Sequence, residues 1–247
     1  MVVRFFPISL RKENSFIFKK YFNTPCILFL KHCESLKTKP SAHPRYFHYN
    51  ELILELHPEV YDPAEDSFLL LESLSITSNE SVLELGTGCG LIALACAWQG
   101  AQVICTDINP YAVQLTRRNI ERNRHLLKGT IEARQGDLFS VLRNDERFSK
   151  IVFNPPYLPT KNNEKIDTWF DVATDGGLTG LKLTKRYLHG LRRHLQPKGV
   201  GYFIFSSLSN RSKLETSLKK ERFSARILAS HRYEREDLDV YQVTPTA

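Results

Sequence analysis

The chain predicts an α/β fold: a largely parallel sheet of seven strands with helices on both faces. Three observations predict it. From residue 60 onward, short apolar runs rich in Val, Ile and Leu alternate with helical patterns, as expected for parallel strands joined by crossover helices. Glycine and carboxylate segments stand directly after several of those runs, where open α/β sheets bind ligands. The length of 247 residues, 42% of them apolar, is ample for one such core.

The elements follow in order. Asp62-Pro63-Ala64-Glu65 reads as an N-cap, a proline at the first helical position and an acid at the third. It opens a helix carrying Phe68, Leu69, Leu71 and Leu74. Ser81–Leu85 is a strand, Gly86–Gly90 a glycine loop, and Leu91–Trp98 an apolar helix behind it. Gln102–Thr106 is the second strand, and Pro110–Asn123 a helix with proline at its start. Thr130–Arg134 and Lys150–Phe153 are the third and fourth strands. Residues 158–177 carry no periodicity and read as a long loop, uncommon in a compact domain unless functional. Leu178–Leu195 is a helix ended by Pro197-Lys-Gly199. Val200–Phe205, Ala225–Ala229 and Val240–Val243 are the last three strands, with a helix near 210–220.

Charge is unevenly placed. The formal net charge is +7, and residues 1–50 hold nine Lys and Arg against two acids, leaving 25 of each sign in the rest. A basic protein suggests nucleic acid, yet here the excess sits in one N-terminal fifth. We expect residues 1–50 to be a basic leader and residues 51–247 the folded domain. The leader's basic, acid-poor composition fits a disordered extension, a start assigned too far upstream, or a mitochondrial targeting peptide. Without targeting, the protein is expected to be cytoplasmic. No apolar run approaches the roughly 20 residues that span a bilayer, so no membrane partner is expected. The five cysteines form no Cys-x-x-Cys pair, which argues against a zinc or disulfide framework and predicts no metal site. Cys89, Cys96 and Cys105 lie in apolar runs and read as core thiols.

Four segments carry chemistry. Glu84-Leu-Gly86-Thr-Gly88-Cys-Gly90 is a strand-to-helix glycine loop, but its G-x-G-x-G spacing departs from the dinucleotide fingerprint. Asp107, past the second strand, can accept ribose hydroxyls, or else cap the helix opening at Pro110. Asp137-Leu138 suits an adenine amino group and ring face, or a plain surface turn. The sharpest is Asn154-Pro155-Pro156-Tyr157. A planar amide or nucleobase nitrogen is a poor nucleophile because its lone pair is delocalised. The Asn154 side-chain oxygen and the Pro155 carbonyl can each accept one N–H, fixing the nitrogen before an electrophile. The locked φ of proline holds that carbonyl, and Tyr157 can stack on the planar group. Positioning and oriented dipoles help the transition state, and no general base is required.

Together these residues resemble a class I S-adenosylmethionine-dependent methyltransferase. Within that superfamily they resemble the HemK/PrmC-type glutamine N5-methyltransferases of translation release factors. The discriminating segment is Tyr61-Asp-Pro-Ala-Glu-Asp-Ser-Phe-Leu-Leu70. It is similar to the Y-E-P-A-E-D-[ST]-F-L-L opening of the shorter eukaryotic and archaeal branch. Cys105–Pro110, Val152–Tyr157 and the glycine-rich turn Asp175–Gly180 agree, and the likeness spans roughly residues 58–243. It implies a Rossmann-like sheet of seven strands and S-adenosylmethionine as cofactor. It implies that Ser67, Glu84 and Gly86 contact the methionine end beside the Gly88 loop. Asp107 would take the ribose, Asp137 and Leu138 the adenine, and Asn154 would bridge cofactor and substrate amide. The implied substrate is the Gly-Gly-Gln glutamine of a class I release factor, and the implied partner a small zinc-binding activator subunit. Residues 1–57 are too short for the helical domain of the bacterial branch. The rival is a nucleic-acid amine methyltransferase acting on adenine N6 or guanine N2. The neutral catalytic region and the lack of a target-recognition domain count against it.

Overall fold

The structure is a computed structural model that describes residues 44–161, 167–233 and 236–246. Most of the leader, with Cys26 and Cys33, lies outside the described residues. A seven-stranded sheet runs in the order β5 (Thr130–Gln135), β4 (Gln102–Asp107), β3 (Ser81–Leu85), β6 (Phe148–Phe153), β7 (Leu195–Ser206), β9 (Glu236–Pro245) and β8 (Phe223–Tyr233). The first five are parallel. β9 runs antiparallel to both β7 and β8.

Alternate side chains of the central strands feed two cores, as the pleat requires. Val82, Val152, Tyr202 and Ile204 face the core shared with α1 (Glu65–Glu72), α2 (Leu91–Trp98) and α3 (Pro110–Asn123). Leu83, Leu85, Ile151, Phe153, Phe203 and Phe205 face the other, with α5 (Lys182–His194) and α6 (Arg211–Lys220). The order of strands reverses at β3 and β6. Their carboxyl ends, carrying Glu84–Gly90 and Asn154–Tyr157, therefore form the crevice where such sheets take ligands.

Four expectations need correction. The first helix begins at Glu65, not beside Asp62. Its cap is Ala64, with Ser67 at the third position returning a bond to the Ala64 N–H. Asp62 is instead drawn into a two-pronged pair with Arg45, at 2.9 and 3.2 Å. The segment read as a loop holds α4 (Trp169–Thr174), closed by a reciprocal Thr168–Asp171 capping box. Six residues are too few to show a period. α5 starts at Lys182, because Gly177 and Gly180 adopt φ of +67° and break the earlier turn. Pro197-Lys-Gly199 lies within β7 rather than between helix and strand.

The expected leader boundary at residue 50 cuts through a hairpin. β1 (Arg45–Tyr49) pairs antiparallel with β2 (Leu52–Leu56) across a two-residue turn with Asn50 at φ +50°. The hairpin is held by α3. The Asn119 and Asn123 carboxamides each both donate to and accept from the backbone of β2, at Glu55 and Ile53, at 2.7–3.0 Å. They stand one helical turn apart and satisfy an edge that would otherwise lie unpaired.

Candidate functional site

Glu84 closes β3 with 3% exposure. One carboxylate oxygen accepts the Thr87 hydroxyl at 2.7 Å and the Ala93 N–H in the first turn of α2 at 3.1 Å. Burial pushes its carboxyl up to about 8, against the opposing pull of those two donors. The loop that follows turns sharply enough to put Gly86, Gly88 and Gly90 all at positive φ. Gly90 is the tightest, since an added Cβ would sit 3.0 Å from Thr116.

Asp107 ends β4. One oxygen accepts the Gly88 N–H and the other the Asn109 N–H, both at 2.9 Å. Burial raises its carboxyl, opposed by these backbone donors. Each oxygen keeps a lone pair for a further donor. The helix cap is Asn109, whose side chain accepts the Tyr111 N–H. Asp107 is thus not the cap of this helix. Asn109 also donates to the Glu59 carbonyl at 2.7 Å, tying residues 57–61 beside the glycine loop. Ile108, next in sequence, is 47% exposed and offers an apolar face that the sequence reading missed.

Asp137 follows β5, and its carboxylate accepts from Arg186 of α5 at 2.8 Å. The reading as a free adenine acceptor is therefore modified: one oxygen is shared with a guanidinium. Leu138 takes φ +51°, strained for a branched side chain, with its carbonyl held by the Thr106 hydroxyl.

Asn154 leaves the end of β6. Its Oδ1 is the one buried side-chain oxygen or nitrogen without a hydrogen-bond partner among the described residues. Such an acceptor costs about 1–3 kcal/mol unless something fills it. Pro155 beside it is buried. Tyr157 is only 6% exposed and its hydroxyl donates to Asp66 at 3.1 Å. The free stacking face expected of it is almost wholly covered, and its contacts make it an anchor. Ser67 likewise serves first as a capping residue, donating to Asp66. Asp66, 3% exposed, has no role legible in the sequence, since nothing local reveals a partner 91 residues away.

The turn Asp175–Gly180 lies against this segment. The Gly176 N–H donates to the Leu158 carbonyl at 2.9 Å. A Cβ at Gly180 would come within 2.4 Å of the Tyr157 carbonyl. Although burial works to raise the Asp175 carboxyl, Lys182 and the Gly177 N–H bring it below its ordinary value. Tyr61 meets Phe170 of α4, ring centres 5.9 Å apart.

Among the described residues no group of three His, Cys, Asp or Glu could hold a metal, and no helix is long and apolar enough to cross a membrane. The donor set fits S-adenosylmethionine: a buried acid for an ammonium, open carboxylate lone pairs for ribose hydroxyls, and apolar Ile108 and Leu138 for a ring.

Comparison with known proteins agrees with this fold. The family model of the methyltransferase small domain matches residues 60–227. MJ0928 of Methanocaldococcus jannaschii, which carries the name protein N5-glutamine methyltransferase, is 42% identical over 76% of this chain and 92% of its own. The human methyltransferase HEMK2 is 30% identical over 75% of this chain and 90% of its own. Among solved structures, that of the E. cuniculi Mtq2–Trm112 complex, described as responsible for the methylation of the termination factor eRF1, superposes with a TM-score of 0.59. It is 20% identical and covers 76% of this chain and 99% of its own.

Proposed function

This chain belongs to the methyltransferase small domain family, and on that premise we propose that it methylates the side-chain nitrogen of a glutamine in a protein, with S-adenosylmethionine as donor. The observation that carries the reading is the unpartnered Oδ1 of Asn154 at the carboxyl end of β6. A primary amide brings the N–H that this oxygen lacks. S-adenosylmethionine supplies an electrophilic methyl group on a sulfonium. The chain's own part is placement. Asn154 and the Pro155 carbonyl accept the two amide N–H groups and set the nitrogen lone pair toward the methyl. Glu84 receives the ammonium, and Gly86 and Gly88 let the backbone approach. Asp107 receives the ribose, and Asp137 and Leu138 the adenine. The nitrogen gives up one proton after transfer, so no strong base is needed.

The name release factor glutamine methyltransferase, carried by a 34% identical relative from Geobacter sulfurreducens, supports a release factor as substrate, and the Mtq2–Trm112 neighbour supports a small activator subunit. The test uses tritiated S-adenosylmethionine and a recombinant class I release factor, with and without such a subunit. Label should enter the Gly-Gly-Gln factor and not its Gly-Gly-Ala variant. Asn154→Ala should abolish transfer while cofactor binding persists. Label retained in the Gly-Gly-Ala substrate would overturn the glutamine reading, and label in tRNA or ribosomal RNA instead would favour nucleic acid.

A further inference from the structure

Tyr157 is bonded to both Asp66 and Ser209, Glu236 feels the charge of Asp66, and no basic side chain pairs with either acid among the described residues. Asp66 sits in the first turn of α1, 3% exposed. Its Oδ1 accepts the Ser67 N–H at 2.6 Å and the Ser67 hydroxyl at 3.1 Å. Its Oδ2 accepts the Tyr157 hydroxyl at 3.1 Å. Glu236, 5% exposed, is occupied separately by the Ser206 hydroxyl. A buried carboxylate is costly, and here α1 supplies the donors that hold it. The Tyr157 carbonyl is fixed independently by the Ser209 hydroxyl at 2.8 Å.

We propose that Asp66 is a positioning residue for methyl transfer: it anchors Tyr157 to the start of α1 and thereby sets where Asn154 and Pro155 aim their oxygens. The claim rests on the acceptor role given to Asn154. Only Pro155 and Pro156 separate Asn154 from Tyr157. A proline pair with fixed φ transmits an anchor at one end to the other. The same helix start continues the segment 57–64, whose Val60 and Tyr61 lie 3.9 Å from a Cβ built on Gly88. The Asp66–Tyr157 bond therefore joins the chain that borders the glycine loop to the chain that presents the amide acceptors.

Tests compare Asp66→Ala, Asp66→Asn, Tyr157→Phe and the Asp66→Ala/Tyr157→Phe pair in the full chain. Asparagine can keep both contacts, its oxygen on the Ser67 N–H and its amine donating to the phenol oxygen, so Asp66→Asn should retain kcat within about threefold. Asp66→Ala and Tyr157→Phe should each lower kcat by about 10- to 100-fold, the range for a small misplacement, with cofactor Kd within about twofold. The pair should be no worse than either alone. A purely structural aspartate would lower Tm and leave kcat of the folded fraction unchanged. Hydrogen exchange of the peptide 153–160 gives a readout that needs no substrate. It should rise in Tyr157→Phe and stay near wild type in Asp66→Asn. Additive kcat losses, a silent Tyr157→Phe, or unchanged exchange would overturn the proposal, and an Asp66→Ala that fails to fold leaves Tyr157→Phe and Asp66→Asn to decide it. Full activity of Asn154→Ala would instead sink the functional reading itself.

Discussion

Glu84 gives the sharpest pH prediction. Its carboxyl is pushed to about 8 by burial, so at pH 7 about nine-tenths of the free protein carries a proton there. An ammonium placed against it favours the ionised form. Binding of S-adenosylmethionine at pH 7 should therefore release most of a proton, and affinity should rise about tenfold or more from pH 6 to pH 8, then fall as the ligand's own ammonium, with a pKa of about 7.7–8.0, loses its proton. Titration calorimetry in two buffers of different ionisation enthalpy measures the released proton directly. The sign for stability follows the same shift. The folded group holds its proton between about 4.5 and about 8 while the unfolded one has lost it, so the ligand-free protein should lose stability as pH rises across that window. Ligand should restore it, making the cofactor-induced rise in Tm larger at pH 8 than at pH 6. Glu84→Gln keeps an oxygen for Thr87 and Ala93 but cannot ionise; it should bind weakly at every pH and release no proton. Proton release near zero in the parent, or a rise in affinity between pH 6 and pH 8 surviving in Glu84→Gln, would refute the assignment of Glu84 to the ammonium.

Other outcomes follow from particular contacts. Gly90→Ala should cost about 1–3 kcal/mol in urea denaturation, because φ is +87° and the new Cβ meets Thr116. Cys89, Cys96 and Cys105 are buried free thiols, with burial raising Cys89 to about 12 and the other two further. In a Cys26→Ser/Cys33→Ser chain, Ellman's reagent should find no fast thiol until the protein unfolds. Removing residues 1–43 should leave cofactor affinity unchanged by calorimetry. Removing 1–50 deletes β1 and the Arg45–Asp62 pair, and should lower Tm measurably.

The parallel sheet was legible because each central strand is a short apolar run bounded by its own punctuation, and because Pro110 and the glycine loop mark helix starts locally. The site's outline was legible for the same reason. Glu84, Asp107 and Asn154 are read as strand-end residues from sequence, and strand ends are where the structure puts them. The hairpin at 45–56 escaped notice because its edge is satisfied by Asn119 and Asn123, more than 60 residues away. The start of α1 was misplaced because Asp62 prefers Arg45 to a cap, and α4 because six residues show no period.

Sequence alone determined which residue types sit after which strand: the glycine loop, the acid at Asp107 and the Asn-Pro-Pro-Tyr run. These are local matters of backbone freedom, period and spacing. Only the tertiary structure decided what each side chain has left to offer. Asp107 keeps free lone pairs because Asn109 caps the helix, Asp137 shares an oxygen with Arg186, and Tyr157 spends its hydroxyl on Asp66. Among the described residues, Asn154 alone retains a buried side-chain acceptor with nothing on it. Whether a polar atom is satisfied depends on partners brought together by folding, and that is what separates a residue of the right type from one that is available for chemistry.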